Sequence, residues 1–256
     1  MSIAAAAGLP RRATAELLGT GLLVAVVIGS GIMGESLAGG NVAVALLANT
    51  LATGAGLLAL ILTFGPISGA HLNPVVTVAD ACQGGTSWRD VPVYVVVQIA
   101  GALLGTALAH LMFGKPIFFA SHHVRAGGGQ LLGELVATFG LLSVIRGTSR
   151  SRPSATPYAV AAYITAAYWF TSSTSFANPA VTLARAASDT FAGIRPADAP
   201  GFIGAQIVGG AAATLLFRWL VPGSRRSSPA LSVPTLVSPP VAPEESHEDG
   251  PVRLRP

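Results

Sequence analysis

The chain has 256 residues, of which 51% are hydrophobic and only 10% are charged, and its formal net charge is +4. A soluble domain carries about 25% charged residues, so this composition excludes an ordinary soluble protein and favours several membrane crossings. The basic residues are scattered along the chain, which argues against nucleic acid as a partner and predicts a lipid bilayer as the surroundings.

Six segments are apolar over roughly the 20 residues that a helix needs to cross a bilayer, although the fourth and fifth are short. In chain order these predicted spans are 13–33, 42–64, 91–113, 130–146, 156–171 and 199–220. Residues 1–12 precede the first span. Residues 222–256 are rich in serine and proline without a long apolar run, which predicts a disordered tail.

An Asn-Pro pair occurs twice between predicted spans, at Asn73-Pro74 and at Asn178-Pro179. Asn is a favoured helix N-cap and Pro suits the first helical turn, so each pair predicts the start of a helix. The predicted helices 73–82 and 178–187 rise only about 15 Å, half of the hydrocarbon thickness. We therefore expect two reentrant half-helices, each preceded by non-helical backbone, at 65–69 and 172–177.

The chain also repeats itself, with residues 13–113 as the first half and 128–221 as the second. Glu16 and Glu134 each open a span, and Gln98 in the third span matches Gln206 in the sixth. Each half has three crossings, an odd number, so the second half is inverted relative to the first. The predicted fold is an all-α membrane protein with six transmembrane helices and two half-helices that meet near the midplane.

Arginine in the short loops predicts the orientation, because cytoplasmic loops carry an excess of basic residues. With six spans, three groups of arginines fall on one side: Arg11 and Arg12, then Arg146, Arg150 and Arg152, then Arg225 and Arg226. We expect both termini in the cytoplasm and the protein in the plasma membrane, the inner membrane of a bacterium.

The segments around His71-Leu72-Asn73-Pro74-Val75 and Asn178-Pro179-Ala180 resemble those of the major intrinsic protein family of aquaporins and aquaglyceroporins. The resemblance covers about residues 12–220 and implies one pore per subunit, a homotetramer and passive conduction, with no enzyme activity, cofactor or metal. It makes Asn73 and Asn178 the central pore pair. The residues it implies as pore supports are His71, Pro74, Pro179, Glu16 and Glu134.

Counted from the two Asn residues, the resemblance implies four selectivity-filter positions, occupied by Thr53, Ala166, Ser175 and Val181. Val181 stands where the family usually has Arg, and strict water channels have a large aromatic residue and a His at two of the others. Arg185 comes one helical turn later and is not a simple substitute. A guanidinium narrows a pore and repels cations, so its absence predicts a wider, less charge-selective constriction that passes water and larger neutral solutes.

Such a filter resembles that of bacterial aquaglyceroporins found in arsenic-resistance operons. Candidate permeants are therefore glycerol, urea, metalloid hydroxides and methylated arsenicals. One alternative is an ion- or proton-coupled carrier in which Glu16 or Glu134 titrates, because acids within spans are functional candidates. The resemblance instead implies that both acids accept backbone N–H groups of the reentrant loops. A third reading is a structural membrane protein with a closed pore.

Overall fold

The structure is a computed structural model, and it describes residues 7–221. Over that range the chain forms helices α1 Leu9–Leu37, α2 Val42–Ser68, α3 Pro74–Ala81, α4 Val91–Met112, α5 Gly128–Ser151, α6 Thr156–Phe170, α7 Pro179–Ala186 and α8 Ala199–Leu220. A short 3₁₀ turn, Pro153–Ala155, precedes α6. The predicted disordered tail, 222–256, and residues 1–6 of the predicted N-terminal segment lie outside the described residues.

Five of the described helices, α1, α2, α4, α5 and α8, are long and apolar enough to cross a membrane. The fifth predicted span, 156–171, corresponds to α6, which has 15 residues. At 1.5 Å per residue α6 is only about 22 Å long, against about 30 Å for the hydrocarbon core. By length alone, α6 therefore falls short of a full crossing.

The two half-helices, α3 and α7, have eight residues each and begin at the prolines of the Asn-Pro pairs. The prediction of non-helical backbone at 65–69 is wrong for most of that run. Helix α2 continues through Pro66 to Ser68 and ends at Gly69, whose φ is 92°. Pro66 lies in the last turn of α2, so it removes one hydrogen bond and leaves the other backbone bonds of a long helix in place. The irregular backbone is thus confined to the residues between Gly69 and Asn73.

Contacts between helices repeat in the two halves of the chain. Helix α1 packs on α2 and α4, and in the same way α5 packs on α6 and α8. Helix α3 contacts α4 and α8, whereas α7 contacts α8 and α4, and the two half-helices contact each other. This exchange of partners is what a two-fold relation produces, so the predicted inverted repeat is confirmed.

Small residues allow two of these helix pairs to touch at their backbones. A Cβ atom added to Gly101 would clash with the carbonyl oxygen of Leu17, and one added to Gly209 would clash with that of Leu135. Helices pack closely in membranes where such small residues face each other. The long helices of each half thereby form a rigid frame around the half-helices.

Candidate pore

The first half-helix is tied to the second by Asn73. As the N-cap of α3, Asn73 accepts a hydrogen bond at Oδ1 from the backbone N–H of Val75, 2.9 Å away. Its Nδ2 donates across the repeat to the carbonyl oxygen of Ala177, at 2.7 Å. The side chain thus satisfies a free N–H at the start of α3 and also holds the opposite loop.

Asn178 makes the reciprocal contacts at the start of α7. Its Oδ1 accepts from the N–H groups of Ala180 at 3.0 Å and Val181 at 3.3 Å. Its Nδ2 donates to the carbonyl oxygen of Leu72 at 2.7 Å. The N-termini of two half-helices therefore meet, and each contributes about half a positive charge from its helix dipole.

Glu16 supports the loop that leads into α3. Its carboxylate accepts the backbone N–H groups of His71 at 2.9 Å and Leu72 at 2.7 Å, the hydroxyl of Ser68 at 2.6 Å and the amide of Gln98 at 2.8 Å. Leu72 has a φ of 49°, in the left-handed region that non-glycine residues rarely adopt. Glu16 thus holds a backbone conformation that would otherwise relax.

Glu134 does the same for the loop that leads into α7. It accepts the N–H groups of Phe176 at 2.8 Å and Ala177 at 2.9 Å, and the amide of Gln206 at 2.6 Å. Thr174, Ser175 and Ala177 all have φ between 49° and 61°. These are the contacts that the family resemblance implies for the two acids.

Three of the four predicted filter residues are buried: Thr53, Ser175 and Val181. Val181 lies in the first turn of α7, and its backbone N–H is one of the two capped by Asn178. Ser175 belongs to the irregular loop before α7, and Thr53 lies within α2. None of these three side chains carries a charge.

Ala166 differs from the other three because it is exposed. Two residues further along α6, the buried Tyr168 donates its hydroxyl to Oγ1 of Thr53 at 3.3 Å. Residues two apart on a helix point about 200° apart, so Tyr168 and Ala166 face different sides of α6. The structure therefore brings Tyr168 to Thr53, whereas Ala166 lies on a different side of α6. The four-residue spacing of Val160, Ile164 and Tyr168, all buried, is the sequence signal for this face.

His71 lies beside the first half-helix, as predicted from its place in the motif. Its Nδ1 is 3.2 Å from Oγ1 of Thr77, its Nε2 is 3.7 Å from the carboxylate of Asp80, and its ring packs on Tyr94 with centroids 5.5 Å apart. Asp80 also faces Arg146, with 3.9 Å between nitrogen and oxygen. An acid and two basic groups thus share this end of the bundle.

At the opposite end, residues 113–127 and 187–198 join α4 to α5 and α7 to α8. The N–H groups of Phe119 and Ser121 donate to the carbonyls of Ala187 and Ala186, both at 3.1 Å, and that of Arg195 donates to His123 at 2.8 Å. We call this end the outer end, following the orientation predicted from the loop arginines. An open cavity of about 270 Å³ lies there, lined by Glu35, His123, Asp189, Thr190 and Phe191.

Two hydrogen-bonded pairs, each with an aspartate, lie at the surface of the outer end. The backbone N–H and the imidazole of His122 both donate to Asp189, at 2.9 and 3.0 Å, and hold the pKa of that carboxyl below its usual value. Arg195 donates to Asp198 at 2.7 Å and lowers its pKa in the same way. Within residues 7–221 the His, Cys, Asp and Glu side chains form no group of three that could hold a metal ion.

Two half-helices joined at their N-termini inside an inverted repeat of long apolar helices define a membrane channel of the aquaporin type. The sequence matches the Major intrinsic protein family over residues 4–170, and the chain belongs to that family. It is 54% identical over 217 residues to aquaglyceroporin AqpS of Rhizobium meliloti (strain 1021), which covers 85% of this chain and 93% of that one.

More distant relatives agree with this assignment. The probable aquaporin NIP7-1 of Arabidopsis thaliana is 39% identical over 100 residues, or 39% of this chain and 35% of that one. The X-ray structure of the aquaglyceroporin from Plasmodium falciparum shares the fold, with a TM-score of 0.62 and 20% identity over 83% of this chain and 95% of that one. The protein is a passive multi-pass membrane channel for water and small solutes, and a coupled carrier is not supported.

Proposed function

We propose that this channel conducts neutral solutes larger than water through an uncharged filter formed by Thr53, Tyr168, Ser175 and Val181. The observation that carries the proposal is Val181, an apolar residue in the first turn of α7, where the family resemblance implies an arginine. Without a guanidinium at that position the constriction is wider and presents fewer fixed donors. Tyr168 takes the place of Ala166 in this set because its hydroxyl contacts Thr53, while Ala166 lies on a different side of α6.

Glycerol, urea, metalloid hydroxides and methylated arsenicals are the solutes that we propose. All are compact, neutral and rich in hydroxyl, amide or methyl groups, which match a lining of hydroxyls and a valine. The similarity to an aquaglyceroporin of Rhizobium meliloti supports solutes of this size.

Asn73 and Asn178 form the centre of the proposed pore, with Pro74 and Pro179 starting the two half-helices. Glu16 and Glu134 act as supports, because their carboxylate oxygens already accept backbone and amide donors at 2.6 to 2.9 Å. A carboxylate engaged in this way holds the loop donors in place, and removing it would leave buried N–H groups without a partner. This supports passive flux without proton coupling and without a catalysed reaction.

We also propose a homotetramer in the bacterial inner membrane with both termini in the cytoplasm. Large apolar side chains are exposed along the long helices, among them Leu51, Val96, Leu104, Leu215 and Trp219. Such surfaces fit lipid or neighbouring subunits. Native mass spectrometry of the purified protein tests the tetramer, and a monomer under conditions that preserve flux contradicts it.

The test of the filter is a swelling assay in proteoliposomes with water, glycerol, urea, arsenite and methylarsenicals. The wild-type protein is expected to speed the entry of water and of at least one larger solute above the rate of empty liposomes. Val181→Arg is expected to reduce entry of the larger solutes by about tenfold while reducing water less, because a guanidinium both narrows the pore and binds solute.

The matched control is Val181→Met, which adds similar length without charge. If Val181→Arg lowers water and solute fluxes equally, position 181 does not set selectivity. A wild-type protein that conducts water alone would refute the proposed function.

A further inference from the structure

Two buried arginines lie at the outer end, beside the proposed filter. Arg185 is on α7, four residues after Val181, so it lies about one turn further out on nearly the same helix face. Arg125 belongs to the segment before α5. The two side chains are 2% and 7% exposed, respectively.

Both guanidinium groups pack against Phe176, two residues before Asn178. The central carbon of Arg185 is 3.3 Å from the centroid of the Phe176 ring, and that of Arg125 is 5.1 Å from it. Cations over an aromatic face are attracted by its electrons, most strongly where water is excluded. The Phe176 ring thus contacts two positive charges beside the loop that leads into α7.

The hydrogen bonds of these arginines go to neutral oxygens. Arg125 donates to the carbonyls of Gly193 at 2.7 Å and Ser173 at 3.3 Å, and Arg185 donates to that of Ala192. Ser173 lies two residues before the filter residue Ser175, so Arg125 is anchored directly on the filter loop. The contacts therefore fix the two charges in place without neutralising them.

The two aspartates of this region are engaged elsewhere. Asp189 is bonded to His122 and Asp198 to Arg195, and no ion pair among residues 7–221 includes Arg125 or Arg185. Glu134 is the acid that acts most on Arg125, and it binds the backbone of Phe176 and Ala177. Burial lowers the pKa of Arg125 to about 10, so this side chain remains a cation at neutral pH.

We propose that Arg185 and Arg125 form a cation barrier just outside the neutral filter, and so restore the charge selection that Val181 cannot provide. The charge is displaced by one helical turn from the usual filter position. The constriction can then stay wide for neutral solutes while positive solutes meet two fixed charges in a low-dielectric site. This inference rests on the proposed function only in taking Val181 as a filter residue.

The experiment compares urea with the guanidinium ion, two solutes of nearly equal size and shape that differ in charge. Uptake of each is measured in proteoliposomes with potassium and valinomycin on both sides, so that no potential opposes cation entry. We expect the wild type to have a low guanidinium-to-urea ratio. Arg185→Met and Arg125→Met are each expected to raise this ratio about tenfold, because each removes a poorly screened charge.

The matched controls separate charge from structure. Arg195→Met removes an outer-end arginine that is paired with Asp198, and the ratio is expected to stay low. Arg185→Lys and Arg125→Lys keep the charge and are also expected to keep the ratio low. If the methionine variants still take up urea and still exclude guanidinium, the two arginines only brace the loops and the proposal is wrong.

Arg185→His provides a test that does not depend on the methionine variants folding. Burial and the charge of Arg125 lower the pKa of an imidazole in this region, as they do for His123, so the substituted side chain is neutral at about pH 8 and the guanidinium-to-urea ratio should be high there. A variant that conducts urea at this pH but still excludes guanidinium would overturn the proposal.

If the filter is too narrow for solutes larger than water, the experiment gives a different result. In that case the wild type conducts water but neither urea nor guanidinium. Proton entry, followed with an internal pH dye and compared with water flux, then replaces the solute pair. The methionine variants must raise proton entry relative to water, and an unchanged ratio contradicts the barrier.

Discussion

The two half-helices are held by matching contacts, but they carry side chains of opposite charge. Asn73 and Asn178 make matching bonds across the repeat, and Glu16 and Glu134 hold the two preceding loops. Seven residues after each Asn, however, α3 carries Asp80 whereas α7 carries Arg185.

The surroundings of this pair differ as much as the residues do. Asp80 lies near His71 and Arg146, so an acid and two basic groups lie together at that end of the bundle. Arg185 shares Phe176 with Arg125, so the outer end carries two cations together. The backbone thus keeps an internal two-fold relation. The side chains break it, because the charged groups at one end of the channel differ from those at the other. Substitutions at matching positions of the two halves show how far the symmetry extends.

The largest difference between the halves is expected at the helix crossings. Gly105 on α4 lies against the backbone of Gly21, whereas its counterpart on α8 is Ala213. Gly105→Ala should lower the free energy of unfolding by about 3 kcal/mol, because the clash is with backbone that cannot move aside. Ala213→Gly should lower it by about 1 kcal/mol, the cost of glycine in a helix. Thermal unfolding in detergent measures both, and equal shifts would show that the two crossings are equally close.

The two supporting acids should also contribute unequally to stability, with Glu16 of the first half contributing more than Glu134 of the second. Glu16 accepts four donors, including the hydroxyl of Ser68, whereas Glu134 accepts three. Replacement by glutamine turns an acceptor into a donor, which faces buried N–H groups. We expect Glu16→Gln to cost about 3 kcal/mol and Glu134→Gln about 2 kcal/mol in unfolding free energy. A larger loss at Glu134 would contradict this ranking.

Val75, in the first motif, breaks the symmetry with Ala180 and depends on a glycine of the second half. A Cβ atom at Gly210 would clash with Cγ1 of Val75. Gly210→Ala alone should therefore destabilise the protein by about 2 kcal/mol, and Val75→Ala in the same chain should recover at least half of the loss. Chemical denaturation of the wild type, the two single variants and the double variant gives the coupling free energy between Val75 and Gly210. Additive effects would refute the predicted coupling.

The smallest expected effect is a pH dependence confined to the outer end. The pKa of Asp189 is lowered by the hydrogen bonds from His122, so its stabilising contribution is present above its usual pKa of about 3.9 and is lost as the pH falls through the lower folded value. Asp189→Asn removes this contribution at neutral pH. The melting temperatures of wild type and variant should therefore converge below about pH 4. A difference that persists unchanged to lower pH would show that the carboxylate does not act through its charge.

Much of this architecture could be predicted from residue types and spacing. Asn-Pro pairs identify the starts of α3 and α7, because capping and proline geometry are local properties. The odd number of spans in each half predicts the inversion. The end of α2 could not be predicted, since Pro66 lies inside a helix that tertiary packing stabilises. Local rules for proline do not include that packing.

The side-chain partners were harder to predict than the frame. The direction of Ala166 and Tyr168 depends on the rotation of α6, and the distance counted from Asn178 crosses an irregular loop that does not keep helical register. The grouping of Arg125 with Arg185 joins residues 60 positions apart through Phe176. Only tertiary structure brings them together, and no periodic signal indicates it.

Cysteine accessibility tests the central claim most directly, namely that Val181 and Tyr168, and not Ala166, line the constriction. In a Cys82→Ser background, which removes the chain's single native cysteine, cysteine is introduced in turn at positions 181, 168 and 166. A small thiol reagent should block solute flux through the Val181→Cys and Tyr168→Cys variants, and excess permeant should slow the block. Ala166→Cys should react without loss of flux. Block at position 166 together with unaffected flux at position 181 would contradict the account.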